Sequence, residues 1–594
     1  MRKLICRFLF LLFLSTSLFA YDNLILDELS VHPYWAKLLH YDKTTLINNK
    51  DFFLSKKENI DLKDELLETI KAFQNNSSSI CKYPARYKWI NSKLHLNLKH
   101  AECKKLKDFL KPNFNKISLV FTSERYNSPA SVFGHTFIKV ESDDAKYVID
   151  YTAKVPIKVS SPVYAYKGIF GGYKSKYKFL PFLAKEHEYR NEEFRDLISF
   201  DLLFKEDEIE NILLHLYEIL DTDQDYYFMS RNCSSELIKL IDFARDDMEL
   251  TSKLSHITVP IDIVHILKNS GYIKNINSSA SKFKQFNNVI FKMDDNNINI
   301  LKKIITRKRS VYNFYNDKRI TKKDKKNIVL AAINFIEIES TKSDFDTKLL
   351  YPLMKLIKIK NKNSLEQLDE NTSYDDIPLS NKFHKFVVGH GYKMDKVNYA
   401  YLGYRYLYRN RFDLMDKIEK NGSVEVMDFM FRLQDDKIDL EKLTLINLEA
   451  LPISSIFFTQ NTKRMQVGAQ RLFYDDHLYA YINYGLGYRY RLNKNLTYHI
   501  SAQTGAYYHK EDIYMASAEF SLEYQEVHKY IFDIVYKHRY FYDFESSNSQ
   551  IKAHRLDLNS HIKVFKNNTI NFSFSYNIDI KEHYQTAINY TLYF

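Results

Sequence analysis

A chain of 594 residues is too long for one ordinary domain, and length alone predicts roughly three or four. Its 86 Lys plus Arg exceed 74 Asp plus Glu by +12. That excess reads as spread along a sequence rich in Asn and Ile, without the clustered basic stripe of a nucleic-acid binder, so no nucleic-acid partner is expected.

The first residues, "MRKLICRFLFLLFLSTSLFA", pass from Arg2 and Lys3 through an apolar run to small residues ending at Ala20. This is the layout of a signal peptide over 1–20, with the exported chain starting near Tyr21. Cys6 lies inside the apolar run, which argues against lipid attachment there. No later run reaches the ~18 apolar residues of a spanning helix. Export leaves Cys81, Cys103 and Cys233. In an oxidising compartment an odd count predicts one disulfide, with Cys81 and Cys103 the natural pair, and one free thiol at Cys233.

Residues 21–112 read as a helical N-terminal domain: "LILDELSVHPYWAKLLHY" and "KDELLETIKAFQ" space apolar residues three and four apart. From 113 to 275 the pattern is α+β. "KISLVFTSE", "HTFIKVES" and "KYVIDYTA" predict strands, "YKGIFGGYKSKY" predicts a loop of Gly and aromatic residues, and helices are expected at about 207–220 and 233–245. Residues 276–383, rich in Lys and Asn, predict a helical spacer with no chemistry of its own.

From 384 to 594 the period changes to two. In "NTINFSFSYNIDI", Ile570, Phe572, Phe574, Tyr576 and Ile578 alternate with polar residues. Such runs recur about twelve times, starting near 384, 397, 422, 437, 461, 478, 495, 514, 528, 551, 567 and 583, each of about ten residues, as in an outer-membrane β-barrel. A soluble sandwich has the same alternation. The many Tyr residues favour the barrel, since aromatic girdles mark both membrane interfaces. The last strand, with Tyr584, Ile588, Tyr590, Leu592 and Phe594 on one face, resembles the signal by which barrel-insertion machinery recognises its substrates. An even strand number puts both barrel ends, and the domains before it, on the periplasmic side.

Two stretches carry the candidate chemistry. In "DYYFMSRNCSSELIKLID", Asn232 is a suitable N-cap and Cys233 opens a helix, where amide groups and a neighbouring imidazolium would lower a thiol's pKa. Those amides, with Asn232 and Ser234, are candidates to polarise a substrate carbonyl. In "SPASVFGHTFIKV", His135 heads a strand behind Gly134, and Ser128, Ala130 and Ser131 leave room beside its ring. His135 is the candidate base and acid. Asp150, on the next strand, is the preferred orienter of the imidazole, with Tyr151 or Asn232 as alternatives. By spacing alone a core His and a buried inert Cys are the default reading; the places of both residues at element starts, flanked by small or polar residues, favour chemistry. No second Cys or His stands at ligand spacing from Cys233, so neither metal nor cofactor is expected.

The segments "SPASVFGHTFIKV", "VIDYTAKVP", "YKGIFGGY", "KEHEYRNEEFRDL", "DYYFMSRNCSSELIKLID" and "ITVPIDIVHIL" resemble the periplasmic domain of the Lnb-type lipoprotein N-acyltransferases over about 115–270. "CKYPARYKWI" and a following barrel also fit that family. The resemblance implies a permuted papain-like fold, related to lecithin:retinol acyltransferase relatives, with His135 and Cys233 at the family's His and Cys. It maps Phe170, Gly171, Gly172 and Tyr173 onto the family's Gly-aromatic loop, a candidate substrate contact that would dip into lipid or else form a tight turn. Arg231 departs from the acidic residue expected before Asn-Cys. The implied reaction takes an acyl chain from phospholipid to the terminal amine of a lipoprotein through a Cys thioester, at the outer membrane with the catalytic domain in the periplasm. The rival readings are a Cys/His peptidoglycan amidase and a non-enzymatic binding protein.

Overall fold

The computed structural model describes residues 23–594 apart from 43, 58, 97, 99–101, 124–133, 157–158, 160, 366–383, 394–396, 415–420, 473–476, 511, 544–549 and 580–582. The expected signal segment and Ser128, Ala130 and Ser131 lie outside the described residues. The chain divides into two compact units, one built mainly from residues up to 277 and the other mainly from 278 to the end.

The first unit opens with short helices. Helix Leu62–Asn75 starts where the Asp61 side chain accepts hydrogen bonds from the Lys63 and Asp64 N–H groups, and it buries Leu66, Ile70 and Phe73 on one face. Trp35 stacks on Trp89 from helix Pro84–Leu94. The Cys81–Cys103 disulfide closes this region. Arg86, fully buried, pairs with Glu65 at 3.1 Å and with Glu218 at 3.5 Å. Its guanidinium also covers the Phe52 and Tyr83 rings. Removing one partner from such a buried pair costs about 3–5 kcal/mol, so this contact ties the N-terminal helices to helix Glu206–Ile219.

The sheet of this unit has 7 strands: β1 (Lys116–Thr122), β2 (His135–Glu141), β3 (Lys146–Ala153), β4 (Tyr173–Pro181), β5 (Leu197–Leu202), β6 (Gln224–Tyr226) and β7 (Ile273–Ser279). Their spatial order is β6-β4-β3-β2-β1-β5-β7. β1 is buried along nearly its whole length and β2 at Thr136, Phe137, Ile138 and Val140, as expected for central strands covered on both faces. Helices Glu206–Ile219 and Cys233–Ile241 fall where the 3.6-residue period predicts them. The expected Gly-aromatic loop is shorter than its sequence suggests. Ser161–Phe170 is helical and β4 begins at Tyr173, leaving only Gly171 and Gly172 as the turn. Both take positive φ, 94° and 139°, which a Cβ would strain. At Gly171 a Cβ would also come within 2.8 Å of the Tyr227 ring.

In the second unit, helices between Lys282 and Lys362 share a core around Phe286, Leu301, Ile333 and Leu356. The barrel follows. Twelve antiparallel strands, the first at Lys385–Lys393 and the last at His583–Tyr593, close through pairing of these two and of Leu478–Arg491 with Leu496–Tyr508. Strand starts at 385, 397, 422, 437, 461, 478, 496, 512, 530, 550, 568 and 583 follow the sequence period closely. The strands run from 9 to 16 residues, most of them longer than the expected ten or so. Phe572, Tyr576, Ile588, Tyr590 and Leu592 face outward, whereas Arg405, Glu425, Glu449, Arg489 and Glu519 are buried in the lumen. Outward apolar and inward charged residues, alternating on closed strands, make a membrane barrel rather than a soluble sandwich. Among the described residues no helix is long and apolar enough to cross a membrane.

Candidate active site

The site is assembled from one helix start and two strands. Asn232 caps helix Cys233–Ile241: its side-chain oxygen accepts from the Ser234 and Ser235 N–H groups at 2.9 and 3.2 Å. Its amide donates to the Phe228 and Thr258 carbonyls at 2.8 and 2.6 Å. This locks the first turn and holds Cys233, buried and outside any disulfide, at the helix N-terminus. It also corrects one expectation. The amides of the first turn are not open to a substrate, because Asn232 already occupies two of them. The Tyr226 hydroxyl lies beside the Cys233 N–H. Ser234 likewise turns to Thr136, hydroxyl to hydroxyl at 3.1 Å.

Helix Cys233–Ile241 packs on β2, and this brings His135 to Cys233 across 98 residues of sequence. The imidazole faces the thiol, and the Thr136 backbone N–H and hydroxyl lie beside the sulfur. His135 Nε2 lies 2.8 Å from Asp150 Oδ1, which leaves Nδ1 for the thiol. The register explains the second contact. Ile138 pairs with Ile149, so Asp150 stands opposite Phe137 and shares the sheet face of His135.

Asp150 is fully buried, and its other oxygen meets Lys185 Nζ at 2.9 Å. Lys185, itself almost buried, reaches Glu188 at 2.9 Å from helix Phe182–His187. The site is therefore a chain of alternating charge, Cys233–His135–Asp150–Lys185–Glu188. Neither Lys185 nor Glu188 is signalled by spacing. The one available cue is that both lie in "KEHEYRNEEFRDL", where they stand three residues apart.

The electrostatics follow from this order. Burial alone would push the Cys233 thiol up, but the facing imidazolium, the His135 hydrogen bond and the Thr136 donors hold it down at about 7. For His135, burial disfavours the cation; the Cys233 thiolate and the hydrogen bond to Asp150 overcome this and push the imidazole up to about 10. Asp150, despite burial, is held well below the usual carboxylate range by His135 and Lys185. Lys185 is raised by Asp150 and Glu188 against the effect of its burial. Between the two values the site holds a thiolate beside an imidazolium, the state a cysteine nucleophile requires.

Other predicted site residues lie elsewhere in the packing. Tyr151 is buried, accepts from the Ser175 hydroxyl at 2.6 Å and donates to Gln224 at 3.3 Å. It is part of the core and does not orient the histidine. Tyr173 is buried opposite Tyr226. Gly171 and Gly172 form the turn beneath Tyr227, while Tyr166 and Phe170 at the end of the preceding helix are exposed. Arg231 is bonded through its backbone to Tyr227, and its charge helps to lower Asp225.

Residues 109–270 match the family model described as the Lnb N-terminal periplasmic domain. Two further models, each described as a domain of unknown function, match 27–93 and 379–594. No curated protein matches the chain. Among solved structures, the NanC porin has 10% identity and a TM-score of 0.25, covering 35% of this chain and 98% of its own. An outer-membrane channel from Pseudomonas putida F1 has 10% identity and a TM-score of 0.27, covering 37% of this chain and 99% of its own. A loop-deletion variant of OmpT from Vibrio cholerae has 6% identity and a TM-score of 0.21, covering 36% and 98%. Together, the closed barrel with its apolar exterior and the preceding match make this an outer-membrane β-barrel protein whose residues 109–270 are similar to the Lnb N-terminal periplasmic domain.

Proposed function

We propose that residues 113–275 form a papain-like acyltransferase domain in which Cys233 is the nucleophile, His135 the proton carrier and Asp150 the orienter, supported by Lys185. The observation that carries this reading is the line from a thiol to the imidazole facing it and on, through a 2.8 Å hydrogen bond, to a buried carboxylate. The thiolate attacks the ester carbonyl of a phospholipid. The tetrahedral intermediate collapses with cleavage of the acyl C–O bond, the His135 imidazolium protonates the leaving alkoxide, and a Cys233 thioester and a lysophospholipid result. The α-amino group of a lipoprotein then attacks the thioester. His135 takes the amine proton, the C–S bond breaks, and the thiolate returns.

With the Ser234 and Ser235 amides engaged by Asn232, the Cys233 N–H beside Tyr226 is the donor best placed for the carbonyl oxygen. Exposed Tyr166 and Phe170 favour contact of this module with acyl chains. The terminal strand ending in Phe594 would be read by the barrel-insertion machinery, and residues 1–20 would direct export. Intact-protein mass spectrometry after incubation with phospholipid vesicles tests the scheme. Wild type gains one acyl mass, whereas Cys233→Ser and His135→Ala do not. Release of peptides from murein without an acyl adduct would instead make the domain a hydrolase.

A further inference from the structure

Residues 282–363 contain 20 Lys and Arg against 8 Asp and Glu, an excess equal to the +12 of the whole chain. The positive charge is therefore concentrated in the helical block, contrary to the even spread expected from composition, and the rest of the molecule is formally neutral. The block is also pinned to one end of the barrel. Phe458 is buried in its core, 5.1 Å from the Phe286 ring and 5.3 Å from Phe335. Phe458 belongs to the connection between barrel strands Lys437–Ala450 and Asn461–Arg471.

Strand direction alternates around the barrel, so this connection lies at the end where the first strand begins at Lys385 and the last finishes at Tyr593. In an even-stranded barrel that end is the periplasmic rim. Arg491, which finishes a strand at the same rim, lies 5.6 Å from the exposed Phe291 ring of the block. The block thus stands at the level of the lipid headgroups.

Helix Leu350–Lys362 has two unlike faces. Leu353, Leu356 and Ile359 pack into the block's core. Leu350, Tyr351, Met354 and Ile357 are exposed, Tyr351 by 62% and Met354 by 64%, alongside Lys355, Lys358 and Lys362. An apolar stripe flanked by lysines is the pattern of a helix lying in a membrane interface, where lysine stems cover apolar surface while their charges reach headgroups. A second copy fits poorly, because two blocks of like charge repel. We infer that the 282–363 block, through helix Leu350–Lys362, docks on an anionic phospholipid surface, the periplasmic leaflet around the barrel. This goes beyond the acyltransferase reading and does not rest on chemistry at Cys233.

The test uses the full chain with Cys233→Ser, which lacks the proposed thiol nucleophile, in nanodiscs of phosphatidylcholine alone or with added phosphatidylglycerol. Lysine acetylation and hydroxyl-radical oxidation are then read by mass spectrometry. In the anionic discs Lys355, Lys358 and Lys362 are expected to acetylate about fivefold more slowly, Met354 to oxidise more slowly, and both effects to shrink at high salt. Replacing Lys355 and Lys358 by Glu together should remove the protection of Lys362. Heat-modifiable gel mobility confirms that the barrel is folded, and if that pair fails to fold, the Gln pair is used. Equal labelling in both lipids would overturn the inference. So would protection that tracks protein concentration rather than lipid charge, which would reveal a second copy.

Discussion

The barrel lumen and the Cys233 site both bury ionic groups, but they arrange them differently. In the lumen charges are shared among partners. Arg464 meets Glu449 at 2.7 Å and Glu519 at 3.0 Å, Glu519 also faces Arg539, and Arg489 pairs with Glu523 at 2.7 Å. In the site the groups stand in single file, and each link sets the state of the next. A mesh shares the loss of one member among its neighbours, whereas a line transmits that loss to its reactive end. Buried charge in the lumen therefore fills and rigidifies, and buried charge in the site tunes one sulfur atom.

The largest expected effects come from the end of the line. Cys233→Ser should abolish any acyl adduct outright. His135→Ala should slow adduct formation by about 10²–10⁴-fold, the usual contribution of a positioned proton carrier, while far-UV circular dichroism shows that the fold persists. If the His135 variant acylates at the wild-type rate, the single-file picture is wrong.

One step further along, Lys185→Met should move the thiol's titration to higher pH. The substitution removes a positive charge from the neighbourhood of the thiolate and leaves Asp150 without the contact that fixes it toward the imidazole, and loss of that charge and of that positioning both disfavour the thiolate. The alkylation rate at about pH 7 should fall by about fivefold, since a titration midpoint roughly one pH higher leaves about a tenth of the thiol ionised instead of about half. Lys185→Arg should restore most of it, since it keeps the charge on Asp150. A merely structural lysine would alter stability without moving the pH profile.

The intact site makes its own pH prediction. Iodoacetamide alkylation of Cys233 should rise through a midpoint at about 7, against ~8.5 for an ordinary thiol. The sign follows from the charges. Above the thiol value the nucleophile is formed, and below about 10 His135 still holds the proton for the leaving group. Acyl transfer should accordingly be greatest between these limits and fall on both sides. A midpoint at the ordinary thiol value would show that the imidazolium does not act on the sulfur.

The smallest effect belongs to the mesh. Glu519→Gln should cost about 1 kcal/mol in barrel unfolding by urea, well under the ~3–5 kcal/mol for breaking an isolated buried pair, because Arg464 keeps Glu449. A loss at the upper figure would mean that the lumen, too, is a line rather than a mesh.

The same contrast governs what could be read before the fold was known. Along the barrel a side chain's surroundings follow from parity: Phe572 and Tyr576 face lipid and Asp557 faces the lumen because successive residues on a pleated strand point to opposite sides. Twelve strand starts are thus legible from period alone. The Cys233 helix is legible too, since Asn232 and the apolar repeat after it are local signals. The Gly-aromatic stretch misled because helix Ser161–Phe170 is held by packing that composition does not reveal. Gly168 accepts a hydrogen bond from the Phe228 N–H at 2.7 Å and leaves room for that ring.

The amino-acid sequence by itself determined the barrel, the helix that presents Cys233 and the strand that begins at His135, because each depends on periodicity or capping among near neighbours in the chain. Only the tertiary structure decided that Lys185 stands behind Asp150, that Asn232 closes the amides Cys233 was expected to share, and that Phe458 anchors the basic block to the barrel rim. These contacts join residues with no common period, through distances that chain spacing does not encode; they exist only once packing has brought the elements together.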